Sequence, residues 1–125
     1  MSGQESAPSS VEKILEMMAE MLGEEPTPMM EMSKLIPEWI PRQASDRKFV
    51  FDLRTIPEKY KHLIMVAAST AVGCPLCTET FMKLASKAGA SKEEIGETLL
   101  ATRFALASTV FATALEGMRY LNSAA

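Results

Sequence analysis

Leu63-Ile64-Met65-Val66-Ala67-Ala68-Ser69-Thr70-Ala71-Val72-Gly73-Cys74-Pro75-Leu76-Cys77 decides the fold class of this 125-residue chain. From Leu63 to Val72 the residues are apolar or small nearly all round, the pattern of a helix buried at the centre of a domain. Gly73 breaks that helix. Pro75 opens the next, because a proline in the first helical turn gives up no hydrogen bond. The junction carries the only two cysteines in the sequence. Residues i and i+3 on a helical first turn bring their Cα atoms to roughly 5 Å, a separation that a disulfide spans without large backbone movement. Cys74 and Cys77 therefore read as a redox-active dithiol, against the competing reading of two buried, inert thiols.

Working outward, Thr55-Ile56-Pro57-Glu58 has the form of a capping box and predicts a helix from there to about Val72. The helix opened by Cys74-Pro75 is expected to run to Ala88, with Gly89 as its stop. Ser91-Lys92-Glu93-Glu94 is a second capping box, and Lys92 to Leu121 is helical by pattern, divided near Ala107-Ser108-Thr109 where weak helix formers meet. Toward the other end, Met1–Pro8 is small and polar and predicts a disordered tail. Ser9 or Ser10 then caps a helix whose apolar positions Val11, Ile14, Leu15, Met18, Met21 and Leu22 recur every three or four residues before Gly23. Thr27-Pro28 starts a short helix through Leu35. Pro37 and Pro41 bracket a turn or short helix, and a further segment is expected near 44–51. No strand-type alternation appears, so the chain is all-α: one helical domain over 9–125, with N-terminal helices in 9–50 and a core in 55–121.

Composition sets the limits. With 47% apolar and 23% charged residues the chain is a globular type, and a formal net charge of -3 gives no electrostatic case for nucleic acid. Leu63–Cys77 is too short to span a bilayer, so no membrane partner is expected. No basic segment precedes an apolar one at the N-terminus, so a cytoplasmic location is expected. In a reducing compartment a close-spaced cysteine pair is catalytic, redox-sensing or metal-binding rather than a structural staple.

The run from Tyr60 to Cys77, followed by a helix, Gly89-Ala90-Ser91-Lys92-Glu93-Glu94-Ile95 and another helix, resembles the carboxymuconolactone decarboxylase and alkylhydroperoxidase D-like superfamily. The likeness covers roughly 56–121, in the family's order and spacing. It implies an alkylhydroperoxidase D-like helical fold with a central antiparallel helix pair carrying the C-x-x-C. It also implies a homo-oligomer, trimer or hexamer, and a peroxidase or disulfide-exchange activity whose redox-active disulfide needs no organic cofactor.

Two positions depart from that pattern. The peroxidase branch has a glutamate twelve residues before the first cysteine and a histidine four after the second, which together relay a proton. Here these are His62 and Phe81. His62 is a candidate substitute relay, against the plain reading of a partly exposed side chain after Tyr60-Lys61; its register level with 81–86 makes direct contact with Cys77 doubtful. The thiols gain some activation without a base, since a helix N-terminus favours thiolate. By resemblance Cys77 attacks a peroxide and Cys74 resolves; by analogy with thioredoxin-type sites the roles reverse. The expected function is a thiol-disulfide oxidoreductase that reduces disulfides through Cys74 and Cys77, with a thioredoxin-like or other electron-donor protein as partner. Its alternatives are an alkyl hydroperoxide reductase with a modified relay, and a non-enzymatic metal-binding or redox-sensing oligomer. A metal site would need a second copy to complete four ligands, and none is expected in one chain. Decarboxylation is poorly served by one His and no polar residue at Phe81.

Seven of the ten methionines lie at or before Met32, a density that suits irregular packing or an adaptable interface over the dithiol. Trp39 is the expected packing anchor of that segment. Glu79 and Lys83 are spaced for a surface ion pair, and Arg103 and Arg119 are expected to pair with Glu97 or Glu116 across a subunit contact.

Overall fold

The computed structural model describes residues 2–124, with side chains described from residue 11 onward. Every regular element among them is helical: α1 (Ser2–Leu22), α2 (Thr27–Leu35), a 3₁₀ turn (Pro37–Trp39), α3 (Ile40–Asp52), α4 (Glu58–Ala71), α5 (Pro75–Lys87), α6 (Lys92–Thr113) and α7 (Leu115–Ser123). The chain divides into two compact units, 1–58 and 59–125.

In the first unit α1, α2 and α3 pack on one another. Gly23, at φ +77°, ends α1, and its amide returns to the Ala19 carbonyl at 2.8 Å. The backbone of α1 is helical from Ser2, over the stretch whose composition predicts a tail. The side chains of that stretch lie outside the described ones. The segment expected near 44–51 is longer, because Pro41 falls within its first two positions, where a proline fits, so the helix starts at Ile40. Ile40, 1% exposed, is the buried anchor here, and Trp39 is only half-buried. Arg47 lies over the Phe51 ring at 4.5 Å and meets the Met21 sulfur at 3.8 Å, so one of the N-terminal methionines is a packing partner of a guanidinium.

The second unit is built on the antiparallel pair α4 and α5. Near the turn Ser69 and Thr70 meet Thr78; further along, Leu63 and Val66 share a buried cluster with Ala85 and Ala90. Phe81, Met82, Ile95 and Leu99 pack against that cluster. Gly89, at φ +102°, closes α5: its amide reaches the Ser86 carbonyl and the Ala90 amide reaches the Ala85 carbonyl, the paired bonds of a Schellman motif. The capping box on α6 is complete, with Ser91 Oγ accepting from the Glu94 amide at 3.0 Å and Glu94 Oε1 accepting from the Ser91 amide at 2.9 Å.

The C-terminal helix breaks at Ala114, not near Ala107-Ser108-Thr109. Ser108 and Thr109 return their hydroxyls to the carbonyls of Phe104 and Leu106, so they stay inside the helix instead of ending it. Arg119 pairs with Glu116, one of its expected partners, within α7 at 2.8 Å, one turn away on the same helix. Along α6 and α7 Leu100, Phe104, Val110, Phe111, Tyr120 and Leu121 are all more than half exposed. Lys92–Ser123 is long and apolar enough to cross a membrane, by length and composition alone, and none of its most apolar window is buried within the chain.

Candidate functional site

The site grows from the end of α4. Gly73 takes φ +78°, a conformation that a side chain disfavours. Its amide bonds to the Thr70 carbonyl at 3.1 Å and the Cys74 amide to the Ser69 carbonyl at 3.0 Å, the second Schellman motif of the unit. The residue that completes this C-terminal cap is also the N-cap of α5: Cys74 sits at φ -108°, ψ 94°, and its Sγ accepts a hydrogen bond from the Cys77 amide at 3.2 Å. One cysteine thus belongs to both helix ends. A Cβ built on Gly73 meets nothing within 4 Å, so Gly73→Ala carries a purely conformational cost. We expect about 1–2 kcal/mol of lost stability in urea unfolding; a variant as stable as wild type would show that the turn relaxes freely.

Cys74 and Cys77 are joined in a disulfide with Cα atoms 5.3 Å apart, in line with the i, i+3 expectation. Both are half-buried. They differ in outlook. A cleft of about 490 Å³, lined by Thr70, Cys74, Pro75, Thr78, Met82 and Lys83 among others, opens on Cys74, and Cys77 does not line it. Its rim carries the ion pair of Lys83 with Glu79 at 3.3 Å, the i, i+4 contact that the spacing predicts.

Two hydroxyls that the sequence reading passed over lie behind Cys74. Thr78 Oγ1 donates to the Cys74 carbonyl at 2.8 Å and lies 3.2 Å from Ser69 Oγ. Ser69, only 6% exposed, gives its proton to the Met65 carbonyl at 2.8 Å. A signal for Ser69 alone was available: Val66 and Ser69 continue the buried stripe that starts at His62, and a hydroxyl on such a stripe needs a partner.

His62 is 2% exposed, which overturns its reading as a partly exposed side chain. It heads the spacing His62, Val66, Ser69 at i, i+4, i+7, so it faces inward with them. It is twelve residues from Cys74, about 18 Å along a helix axis. The adjacent Leu63 clusters with Ala85 and Ala90, at the end of α5 remote from the cysteines. The structure therefore brings Cys74 and Cys77 together and sets His62 at the opposite end of the helix pair. Phe81, at the other relay position, packs against the core. Among the described residues no three His, Cys, Asp or Glu side chains gather as a metal site would require.

The far end of the hairpin is tied by charge. Lys59 Nζ meets Glu94 Oε2 at 2.9 Å, linking the first turns of α4 and α6. The Ser91 amide, and then the Lys59 ammonium, hold the Glu94 carboxyl below its ordinary 4.5; the hydrogen bond to Glu94 holds Lys59 above its ordinary 10.5. Stability from Glu94 is present above its unfolded pKa and is lost as pH falls through the lower folded value. Stability from Lys59 is present below its unfolded pKa and is lost as pH rises through the higher one. The pair is thus fully effective between about pH 4.5 and 10.5. Glu94→Gln is expected to flatten the acid limb of the unfolding midpoint plotted against pH, and an unchanged limb would assign that limb to other carboxylates.

The matching family model is the carboxymuconolactone decarboxylase family, over residues 47–119, more than half of the chain and including both cysteines. No curated protein and no solved structure matches the chain. The helix pair, its glycine junction and the paired cysteines accord with that match and with a redox role for the pair, and the chain belongs to the carboxymuconolactone decarboxylase family.

Proposed function

We propose that the protein is a thiol-disulfide oxidoreductase that reduces disulfides, with Cys74 as the attacking sulfur. The observation that carries this reading is the position of Cys74 Sγ: it is the N-cap atom of α5, it accepts the Cys77 amide, and it lines the cleft. A thiolate there keeps a hydrogen bond from an orphan amide and the favourable end of the helix dipole. In the first step the Cys74 thiolate attacks a substrate disulfide; a Cys74–substrate S–S bond forms and the departing thiolate takes a proton from water. Cys77, losing its proton, then attacks the Cys74 sulfur, releases the second substrate thiol and closes the Cys74–Cys77 disulfide. Two electrons have passed to the substrate. A dithiol donor, of a thioredoxin-like protein or a small molecule, returns them by the same exchanges in reverse.

Hydroperoxide reduction asks for more, because the departing alkoxide needs a proton delivered at the sulfur. Phe81 carries none, and His62 lies twelve residues before Cys74, about three helical turns away. Disulfide exchange has better leaving groups and needs only the pair. The test is steady-state reduction of a low-molecular-weight disulfide driven by a dithiol donor. Wild type is expected to exceed the donor alone; a rate equal to the donor's, with peroxide consumed instead, would overturn the disulfide reading.

We also propose that the protein works as a homo-oligomer assembled through α6. Leu100, Phe104, Ala107 and Phe111 recur at spacings of four, three and four, which sets them on one exposed face.

A further inference from the structure

Opening the disulfide removes the covalent tie between the side chains of Cys74 and Cys77. Whether Sγ then stays over the Cys77 amide depends on the main chain of Cys74. That main chain is held from both sides. Its N–H donates to the Ser69 carbonyl at 3.0 Å, and its carbonyl accepts from both the amide of Thr78, at 2.9 Å, and the hydroxyl of Thr78, at 2.8 Å. Thr78 has one hydroxyl proton shared between two acceptors, the Cys74 carbonyl at 2.8 Å and Ser69 Oγ at 3.2 Å. The hydroxyl of Thr70 reaches Thr78 Oγ1 at 3.5 Å from the cleft side.

Ser69 and Thr78 both make the back-bond to a carbonyl four residues earlier that Ser and Thr commonly make in helices, but the carbonyl that Thr78 reaches belongs to the residue whose sulfur caps α5. Thr78 is half-buried and lines the cleft beside Cys74.

We propose that Thr78, backed by Ser69, is a positioning residue for the dithiol: its hydroxyl clamps the Cys74 main chain so that Sγ keeps the N-cap position in the reduced protein. The clamp thereby sets the balance between dithiol and disulfide. A cap that favours the Cys74 thiolate stabilises the reduced form and makes the pair more oxidising. Loosening it favours the disulfide. This rests on the reading of Cys74 and Cys77 as a working redox pair, and its readouts need no substrate turnover.

The experiment compares wild type, Thr78→Val, Thr78→Ser and Ser69→Ala. The equilibrium of the cysteine pair is measured in glutathione buffers, and alkylation of each cysteine is followed against pH by mass spectrometry. Thr78→Val is expected to shift the equilibrium toward the disulfide by about tenfold, close to 30 mV at 29.6 mV per tenfold, and to move Cys74 alkylation to higher pH. Thr78→Ser, which restores the hydroxyl without the methyl, should stay within about twofold of wild type, at most 9 mV on the same conversion. Ser69→Ala keeps the Ser69 carbonyl and should shift in the same direction by less; it decides the matter if Thr78→Val does not fold. The proposal is overturned by wild-type potential and pH profile in folded Thr78→Val, by a Thr78→Ser shift as large as that of valine, or by no shift in Ser69→Ala where it alone must decide. Failure of wild type to turn over disulfides would overturn the reductase reading and leave these outcomes readable.

Discussion

Cys74→Ser protein is expected to reduce disulfides no faster than the dithiol donor alone, a fall of several orders of magnitude, on the scale seen when a nucleophile is removed from an active site. Cys77→Ser is expected to fail differently. Its Cys74 thiol still attacks, so one equivalent of substrate thiol is released and the remainder stays bound to Cys74 as a mixed disulfide. Intact-mass spectrometry reads this directly, as an adduct on Cys77→Ser and none on Cys74→Ser. The asymmetry follows from the junction. Cys74 Sγ receives the Cys77 amide and lines the cleft, whereas Cys77 lies in the first turn of α5 and does not line it. An adduct on Cys74→Ser alone would reverse the roles and assign the attack to Cys77. Equal turnover by both variants would remove the dithiol from the chemistry.

Most helix ends of the second unit were legible because they are written in local chemistry, although α4 starts at Glu58 and not from the expected box at Thr55. Gly73, Pro75, Gly89 and the Ser91–Glu94 box each solve a capping problem within a few residues, and each stands where the sequence places it. The buried face of α4 was legible only in part. An apolar run shows that a helix is central, but the inward turn of His62 follows from the register of Val66 and Ser69, which needs the phase of the helix. The break at Ala114 was hidden for a different reason. Weak helix formers at Ser108 and Thr109 satisfy their hydroxyls on carbonyls one turn back, so propensity misplaced the division. At the site, the cysteines announce themselves, since two residue types and one spacing suffice. The clamp does not. Ser69 and Thr78 are nine residues apart, on separate helices, and become neighbours only when Gly73 reverses the chain between them.

Phe104→Glu with Phe111→Glu is expected to convert an assembled protein into a monomer of 13.7 kDa. Both rings are more than 70% exposed in the chain, on one face of α6 with Leu100 and Ala107. The hydroxyls of Thr98, Thr102, Ser108 and Thr109 are returned to carbonyls of their own helix, so the hydroxyl protons along α6 need no water partner if a second helix covers them. A spacing of four, three and four is the seam on which two helices interdigitate, and a second copy presents the same seam. At about 1.5–3 kcal/mol for each buried phenyl side chain, four of them across a two-fold contact supply about 6–12 kcal/mol. Since each 1.4 kcal/mol is about tenfold in affinity, losing them weakens association by at least about four orders of magnitude, before the repulsion of facing carboxylates is added. Glutamate is a good helix former, so α6 should persist and the helical signal in circular dichroism should hold. Analytical ultracentrifugation decides: wild type at a multiple of the chain mass and the double variant at one chain mass is the expected pair of results. A monomeric wild type that floats with lipid vesicles would assign the same face to a bilayer, which the length and composition of Lys92–Ser123 also fit, and would end the oligomer reading.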